Sequence, residues 1–451
     1  MRDIVRKQHP VVSTEAIGLR TVTLRIGVFF DGTGNNRDNS LTDGNATSNI
    51  ARLYDLYPHQ ASVPLASDQT TASLSVYVDG IGTRAGESDS ILSKLTGRYG
   101  AGVLARAQQA PTAIIETIAG WCQANPAARI QAIEVDIFGF SRGAAAARHF
   151  AHDTDKGAAS RLALEWPASM RRQVQDLDWS TSLTINFIGL FDTVAAIVSM
   201  LEGNFSPANI DYSGLQLGLR PGIARKVVHL VARDEHRRNF PLTQAFEDIV
   251  VPGAHSDVGG GYPPEMLEQL VLSRPVSSVE ARSLDNEKAR SRREVQAQYE
   301  RNRASWQRYN FKVEMRAQAT ELPFLASRDI VPQKQVLSYI RGVRTVAGDL
   351  SLVYLGIMHA LAVAHDVPFI ALDERFAVPS ALQVIAAKLL AYATGEQPGT
   401  GLDAEEEALL FERYIHLSSD WSVAGAAREG VVALFINRPH ESGQRRVFPN
   451  P

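Results

Sequence analysis

The sequence predicts an α/β protein built on a doubly wound, mainly parallel β-sheet. Short runs that are almost continuously apolar and rich in β-branched residues recur between residues 22 and 253, as expected for strands buried on both faces of a sheet. Helical patterns lie between several of these runs, and the runs end in short turns of Gly, Asp and Ser. The chain has 451 residues, of which 45% are hydrophobic, so it can build a large core.

The predicted strands follow one another along the chain at 22–30, 73–80, 130–140, 183–192, 225–232 and 247–253. Helices are predicted between them, notably at 100–120 and 142–152. Because the carboxyl ends of parallel strands meet at one edge of a sheet, residues that directly follow these strands are the first candidates for a functional site.

The composition of the chain changes after Tyr262. Residues 263–345 are polar and rich in Arg and Glu, which favours solvated helices, and residues 346–395 have apolar helical spacing. We therefore expect three parts: a core at 1–262, a mostly helical insertion or cap at 263–410, and a C-terminal segment at 411–451 that could return to the core.

Composition excludes several classes of protein. The net charge of −3 gives no general attraction to nucleic acid, so no nucleic-acid partner is expected. A single cysteine, Cys122, rules out an intramolecular disulfide and zinc sites of the finger type. The N-terminus lacks the apolar segment of a Sec signal peptide, and the longest apolar stretch, Leu350–Ala364, is too short to span a bilayer. The chain is expected to be soluble when made in the cytoplasm.

The sharpest local motif is GFSRG, in which Ser141 stands between Gly139 and Gly143. It follows the apolar run 130–140 and opens an Ala-rich helix. A nucleophile elbow needs this context, because small flanking residues let the backbone turn tightly and project the serine hydroxyl above the sheet. The amide of Arg142 could then donate to a developing oxyanion. The motif predicts a serine hydrolase of the α/β-hydrolase type, with a structural Gly-Ser turn as the alternative.

A serine nucleophile needs a base, and the base needs an orienting acid. Asp192 ends the strand at 183–192 and is a candidate acid, although it could equally be the N-cap of a following helix. Asp234 and Glu235 follow the next strand and are the alternative acids. The run DEHRR that contains them could instead be a cluster of surface ion pairs.

His255 is the candidate base, because it follows the strand at 247–253 in a glycine-rich loop. The alternative is a structural histidine hydrogen-bonded to Asp257. His416, in YIHLSSDW, is the main rival base, and His229 lies on a predicted strand.

The first predicted strand ends in FFDGTGNN, where the amides of Gly32 and Thr33 could supply the second oxyanion donor. The same loop could bind phosphate or a metal, but it lacks the Lys-Ser/Thr ending of a P-loop. Serine chemistry needs no cofactor. If a calcium ion were bound, Asp31, Asp79 and Asp257 would be its candidate ligands.

Five motifs occur in order over about residues 22–262: FFDGTGNN, GFSRGAAAAR, FDTVA, RDEHRRNF and PGAHSDVGGGY. Together they resemble the type VI secretion lipase effectors of the GxSxG class, in the branch with the GFSRG elbow, whose members are antibacterial phospholipases A. Matched motif to motif, the resemblance implies a triad of Ser141, Asp192 and His255, which is why Asp192 is preferred to Asp234.

The resemblance also implies a substrate, a route of export and a site of action. It implies a glycerophospholipid acyl ester as substrate, export by a type VI spike or tube component without a signal peptide, and action in the periplasm of target cells. A cognate immunity protein would protect the producing cell. Residues 263–451 carry no motif of this family, and Leu350–Ala364 is expected to be either a membrane-engaging segment or a buried cap helix.

Three alternatives stay open at this point. One is a carboxylesterase or thioesterase that acts on soluble acyl groups. Another is a metal-dependent phosphoesterase built on Asp31, Asp79, Asp136 and His255. The third is a non-catalytic binding module that has kept the fold.

Overall fold

The structure is a computed structural model that describes residues 20–32, 46–80, 101–195, 214–323, 331–422, 435 and 437–451. Its strands are β1 (Arg20–Phe30), β2 (Thr71–Val78), β3 (Ala128–Phe140), β4 (Leu183–Phe191), β5 (Lys226–Ala232), β6 (Leu242–Thr243), β7 (Ile249–Val251), β8 (Glu265–Val271), β9 (Val276–Ala281), β10 (Lys312–Glu321), β11 (Gln333–Ala347) and β12 (Val447–Phe448). Its α-helices are α1 (Asn49–Leu56), α2 (Ala101–Ala124), α3 (Arg142–Thr154), α4 (Arg161–Leu164), α5 (Trp179–Ser182), α6 (His255–Gly259), α7 (Arg290–Arg308), α8 (Leu350–Val363), α9 (Gln383–Ala393) and α10 (Ala404–Arg413). Short 3₁₀ turns lie at Gly157–Ala159, Ala168–Val174, Asn286–Lys288, Glu374–Phe376 and Ser380–Leu382.

The central sheet has six strands in the order β2-β1-β3-β4-β5-β7, and every neighbouring pair is parallel. Each of the six predicted apolar runs forms one of these strands, so the predicted fold class is confirmed. The strand order reverses at β1, because β2 pairs on one side of it and β3 on the other. In open α/β sheets such a reversal leaves a crevice beyond the carboxyl ends of the strands, which here belongs to β1 and β3.

Helices cover both faces of this sheet. Apolar residues of α2 and α3 pack on one face in a single buried cluster with alternate residues of β1 and β3. On the other face, Ile50 and Leu53 of α1 share a second cluster with Leu350 and Val353 of α8. This burial explains why the strands are apolar at nearly every position.

A second sheet lies in the region predicted to be mostly helical. Strand β11 is central to it and pairs antiparallel with β10, β8 and β9. Among the described residues of 263–345, only α7 and one 3₁₀ turn are helical, so the prediction of solvated helices throughout this stretch is wrong. The side chains of β11 alternate between buried and exposed positions, the period-two pattern of a half-buried strand.

The apolar stretch Leu350–Ala364 forms helix α8, which packs in the core rather than standing apart as a cap. Tyr354 and Met358 are fully buried, and Tyr354 donates a hydrogen bond from its hydroxyl to the Pro252 carbonyl. A Cβ placed on Gly189 of β4 would lie 2.9 Å from the Met358 sulfur, so the helix lies directly on the sheet. This burial supports the buried-helix alternative over a membrane-engaging segment. No helix in the described part of the chain combines the length and the apolar character needed to cross a membrane.

The C-terminal segment reaches the core at two places. Strand β12 pairs parallel with β6, which follows β5 of the central sheet. Upstream of it, residues 414–420 lie beside α6, where the His416 amide donates to the Asp257 carboxylate at 2.9 Å. Residues far apart in the sequence therefore surround the carboxyl end of the central sheet.

Candidate active site

Ser141 occupies a tight turn between β3 and α3. Its backbone has φ 58° and ψ −123°, a region that non-glycine residues rarely adopt. Two backbone hydrogen bonds hold the turn: the Ser141 amide donates to the Phe191 carbonyl at 3.1 Å, and the Val194 amide donates to the Ser141 carbonyl at 3.3 Å. Strain of this kind persists only where the surroundings fix it, and it is typical of a nucleophile elbow.

The glycines of GFSRG are required by close backbone contacts. A Cβ on Gly143 would lie 2.2 Å from the Phe30 carbonyl oxygen at the end of β1. A Cβ on Gly139 would lie 2.6 Å from the Cα of Ala144. The elbow is thus pressed against the end of β1, at the point where the strand order reverses.

The three predicted oxyanion donors differ in what the structure shows of them. Arg142 is the first residue of α3, where the backbone N–H groups of a helix point out from its end and can donate to an external acceptor. The Gly32 amide donates to the Asp31 carboxylate at 2.6 Å, so Asp31 holds it within its own loop. Thr33 lies outside the described residues.

Asp192 directly follows β4 and is fully buried. Its φ of 43° is again unusual for a residue other than glycine. The carboxylate accepts three kinds of hydrogen bond: from the Ala232 amide at 3.0 Å, from His255 Nδ1 at 2.5 Å, and from both terminal nitrogens of Arg445 at 2.6 and 2.8 Å. The carboxylate of Asp192 therefore binds the His255 ring, as an orienting acid would.

His255 is the first residue of α6, and its ring is enclosed by aromatic side chains. The ring centroid lies 4.6 Å from that of Phe140, the residue before Ser141, and 4.9 Å from that of Phe240. With Nδ1 bound to Asp192, the proton acceptor of a neutral imidazole is Nε2. Within the described part of the chain, no direct hydrogen bond joins His255 to the Ser141 hydroxyl; such bonds often tighten only when substrate binds.

The electrostatics of the pair follow from burial and charge. Burial alone would raise the pKa of Asp192, but the Arg445 charge and the hydrogen bonds from His255 and Arg445 outweigh it and hold that pKa well below its usual range. Burial lowers the pKa of His255 below its usual value, although Asp192 acts in the opposite direction. An ionised acid beside a neutral imidazole is the resting state that a general base requires.

Arg445 is a site residue that the sequence reasoning missed. It lies in the polar C-terminal run SGQRRVF, and no local pattern distinguishes it from Arg446. The pairing of β12 with β6, two residues on each side, and the backbone hydrogen bond between His440 and His236 bring it to Asp192.

The alternative acids have other partners. Asp234 accepts hydrogen bonds from the Gly253 amide at 2.8 Å and from Arg233, and burial raises its pKa. Glu235 accepts from the Arg237 guanidinium, and also from the His255 amide at 3.3 Å. Glu235 therefore contacts the backbone of His255 and not its ring.

The two remaining secondary candidates, Asp257 and His416, bind each other. His416 Nδ1 lies 2.6 Å from Asp257 Oδ1, and its ring stacks on Tyr262 with centroids 3.6 Å apart. His229 forms a further pair with Asp248 at 2.7 Å, while its Nε2 accepts from the Thr193 amide at 3.1 Å. Both nitrogens of His229 are thus engaged in holding the strand ends.

The carboxylates considered as metal ligands are engaged with protein groups. Asp31 accepts from Ser48 at 2.6 Å and from the Tyr77 hydroxyl. Asp136 accepts from Tyr57 at 2.9 Å and from Asn186 at 2.8 Å, in the middle of β3. In the described ranges, no group of three or more His, Cys, Asp or Glu side chains could hold a metal ion.

Comparisons with known proteins extend this description. The sequence model of the T6SS Tle1-like phospholipase effector catalytic domain matches residues 25–156 and 150–278, more than half of the chain. The solved structure of the Tle1 effector bound to the VgrG spike of the type 6 secretion system is 28% identical, with a TM-score of 0.77, over 100% of this chain and 96% of that one. An uncharacterized protein from Pseudomonas aeruginosa, 18% identical with a TM-score of 0.43 over 87% of this chain and 53% of that one, is too distant to support a conclusion. No curated protein matches the chain.

Proposed function

Since the chain belongs to the T6SS Tle1-like phospholipase effectors, we propose that it is a phospholipase A that hydrolyses acyl esters of membrane glycerophospholipids through Ser141, His255 and Asp192. Family membership makes it a lipid-hydrolysing effector of the type VI secretion system. The observation that supports the triad is the buried Asp192–His255 pair beside a serine held in a strained strand-to-helix turn.

The proposed reaction proceeds by acyl transfer. His255 Nε2 takes the hydroxyl proton as Ser141 Oγ attacks the ester carbonyl carbon, and Asp192 stabilises the imidazolium that forms. The Arg142 amide donates to the oxyanion, together with the amide of Gly32 or of Thr33; the Gly32 amide would first have to exchange its hydrogen bond to Asp31. Collapse of the tetrahedral intermediate breaks the ester bond, and His255 returns the proton to the departing lysophospholipid oxygen. Water then cleaves the acyl-enzyme by the same route and releases a fatty acid.

This chemistry needs no cofactor, so hydrolysis is expected to survive a chelator. The principal alternative function is a carboxylesterase or thioesterase that uses the same triad on soluble acyl groups. A metal-dependent phosphoesterase is disfavoured because Asp31 and Asp136 are bound to different protein groups in different parts of the sheet. A preference for vesicles over short soluble esters distinguishes the phospholipase from the carboxylesterase or thioesterase.

Delivery is proposed by analogy with the related structure. The Tle1 effector in that structure is bound to the VgrG spike, and we propose that a spike or tube component likewise carries this chain into the periplasm of target cells, with no signal peptide needed. A cognate immunity protein in the producing cell is part of the same proposal. Co-purification of the chain with the spike protein from a producing cell tests it.

The central experiment measures fatty-acid release from phosphatidylethanolamine and phosphatidylglycerol vesicles. Ser141→Ala, Asp192→Asn and His255→Ala are each expected to lower the rate by around 10³-fold or more while the fold is kept. His440→Ala is the matched control, because among the described residues this ring bonds to Ser442 alone, in an exposed turn. Lipids with different acyl chains at the two glycerol positions distinguish phospholipase A1 from A2 activity.

The outcomes separate the parts of the proposal. If vesicles stay intact but Ser141 reacts with a fluorophosphonate, the nucleophile is retained and the substrate assignment fails. If His255→Ala keeps full activity, the base lies elsewhere. If a chelator abolishes activity and Ser141→Ala does not, the serine mechanism fails.

A further inference from the structure

The segment around β12 is fixed to the core by hydrogen bonds on both sides of Arg445. The Leu242 amide donates to the Arg446 carbonyl at 2.9 Å, and the Gln244 amide donates to the Phe448 carbonyl at 2.9 Å. Upstream, the His440 amide donates to the His236 carbonyl at 3.0 Å. The backbone around Arg445 is therefore held at a fixed distance from Asp192.

The Arg445 guanidinium uses three donors to fix two site residues. Nη1 and Nη2 donate to the two oxygens of Asp192 at 2.6 and 2.8 Å, and Nε donates to the Phe240 carbonyl at 2.7 Å. Phe240 in turn contacts the His255 ring edge-on. The Arg445 side chain is 7% exposed and Asp192 is 0% exposed, so solvent screens this interaction only weakly.

We propose that Arg445 is a positioning residue, which holds the Asp192 carboxylate in line with His255 and whose positive charge disfavours protonation of the His255 ring. The inference rests on the proposed function, because it assigns Asp192 and His255 the roles of acid and base. It adds a fourth side chain to the triad, supplied by the C-terminal segment.

The two effects have different physical origins. A guanidinium donates two parallel hydrogen bonds to a carboxylate and so fixes the plane of that carboxylate, which a single-point cation does not do. Its positive charge also offsets part of the Asp192 charge that would otherwise attract a proton to His255. Asp192 still orients the imidazole, but protonated His255 is less favoured than in an isolated pair.

The other charged groups around His255 form ion pairs of their own. Arg237 and Glu235 form an ion pair at 2.9 Å beneath the His255 amide. Asp257 is paired with His416 and lies in the same helix as His255. Among the described residues, five charged or titratable groups lie around His255 on the elements packed against it. They are Asp192 after β4, Glu235 and Arg237 after β5, Asp257 in α6, and Arg445 before β12. Of these groups, Arg445 is the one that donates hydrogen bonds to both oxygens of the Asp192 carboxylate.

Two substitutions separate charge from geometry. Arg445→Gln removes the charge but keeps a hydrogen-bond donor, whereas Arg445→Lys keeps the charge but removes the two-point contact. Arg446→Gln is the matched control, because the Arg446 guanidinium lies over the Phe448 ring, 4.8 Å from its centroid. The readout is the rate at which a fluorophosphonate labels Ser141 at a series of pH values between about 4.5 and 8, which spans the ordinary range of histidine titration. This readout does not depend on the lipid.

The expected results follow from the two roles. Arg445→Gln moves the low-pH limb of the labelling profile to higher pH by about one unit or more. Arg445→Lys leaves that limb in place and lowers the plateau by about 10-fold or more, because a 1 Å misplacement is costly in such sites. Arg446→Gln matches the wild type in both respects.

A profile of Arg445→Gln that has the same low-pH limb as the wild type would overturn the inference, even if its melting temperature falls. If Arg445→Gln does not fold, the Arg445→Lys variant provides the test. A labelling plateau equal to that of the wild type would contradict the proposal, and so would a low-pH limb that moves toward neutral pH. Failure of the underlying function looks different. In that case wild type is not labelled at all, or Ser141→Ala is labelled as fast as wild type.

Discussion

Asp257 and His255 stand two residues apart in α6 and belong to two separate buried imidazole–carboxylate pairs. His255 supplies the imidazole to Asp192 at 2.5 Å, whereas Asp257 supplies the carboxylate to His416 at 2.6 Å. The His416 Nε2 atom has no hydrogen-bond partner among the described residues, so this second pair does not bind the Ser141 hydroxyl. We interpret it as the anchor that holds α6, and with it His255, against residues 414–420.

This interpretation predicts that substitution of His416 mainly lowers stability, whereas substitution of His255 mainly lowers the reactivity of Ser141. His416→Asn leaves the Asp257 charge buried without its imidazole, so it should lower the free energy of unfolding by about 3–5 kcal/mol. Labelling of Ser141 in the folded fraction should stay within about 10-fold of wild type, whereas His255→Asn should lower it by around 10³-fold. Urea denaturation and fluorophosphonate labelling measure the two quantities. Loss of labelling in well-folded His416→Asn would make His416 the base instead.

The acid limb of the pH profile should lie below the ordinary range for histidine. Burial lowers the pKa of His255, and the base must be neutral to accept the Ser141 proton, so activity persists at mildly acidic pH and is lost only as pH falls through that lowered pKa. We expect the midpoint of the low-pH limb of kcat/KM below about 6.5. Initial rates on vesicles measured across pH would show this, and a midpoint above neutral pH would contradict the buried geometry.

Glu235 should contribute stability that is lost in acid. Burial alone would raise its pKa, but the charge and hydrogen bonds of Arg237 lower it to about 2. Because the folded-state pKa lies below the unfolded value, the contribution is fully present above about pH 4.5 and disappears as pH falls toward about 2. Glu235→Gln should therefore be less stable than wild type by roughly 3 kcal/mol at neutral pH.

The difference in free energy of unfolding between wild type and Glu235→Gln should decrease as the pH falls from about 4.5 to about 2. Urea denaturation at several pH values measures this difference. A gap that is constant over the whole range would mean that the side chain acts through packing and not through its charge.

The glycines of the elbow and of the core helix should respond differently to the same substitution. A Cβ on Gly143 would lie 2.2 Å from the Phe30 carbonyl oxygen, so Gly143→Ala should displace the elbow and lower labelling by at least about 10²-fold. At Gly356, in the middle of α8, an added Cβ would meet no atom of the described residues within 4 Å. Gly356→Ala should keep full activity and stabilise the protein by about 1 kcal/mol, because alanine favours a helix. Equal activity of the two variants would show that the close approach at the elbow is not needed.

The central sheet could be predicted from sequence because its strands are buried on both faces. Runs dominated by apolar residues, such as that of β4, are typical of strands buried on both faces of a sheet. The second sheet could not be recognised in the same way. β10 is largely exposed and carries Lys, Glu and Arg, so its composition resembles that of a solvated helix. The alternation along β11 was the signal that could have revealed it.

The candidate site, like the fold, could be predicted only in part. Ser141, Asp192 and His255 each follow a predicted strand, and their placement at one edge follows from the parallel topology. The pairing of Asp257 with His416 and the contact of Arg445 with Asp192 join positions 159 and 253 residues apart. Contacts of that range depend on how the second sheet and the C-terminal segment fold back, which no local pattern encodes.

The separation of 253 residues between Asp192 and Arg445 also bears on the order in which the molecule is built. Contacts between residues remote in sequence carry the largest chain-closure cost and tend to form late. During synthesis from the N-terminus, β1, β3 and β4 emerge and can pair long before residue 445 leaves the ribosome. A nascent chain therefore carries the serine elbow well before the guanidinium that binds Asp192, and the ionic cluster is completed only once residue 445 has been translated.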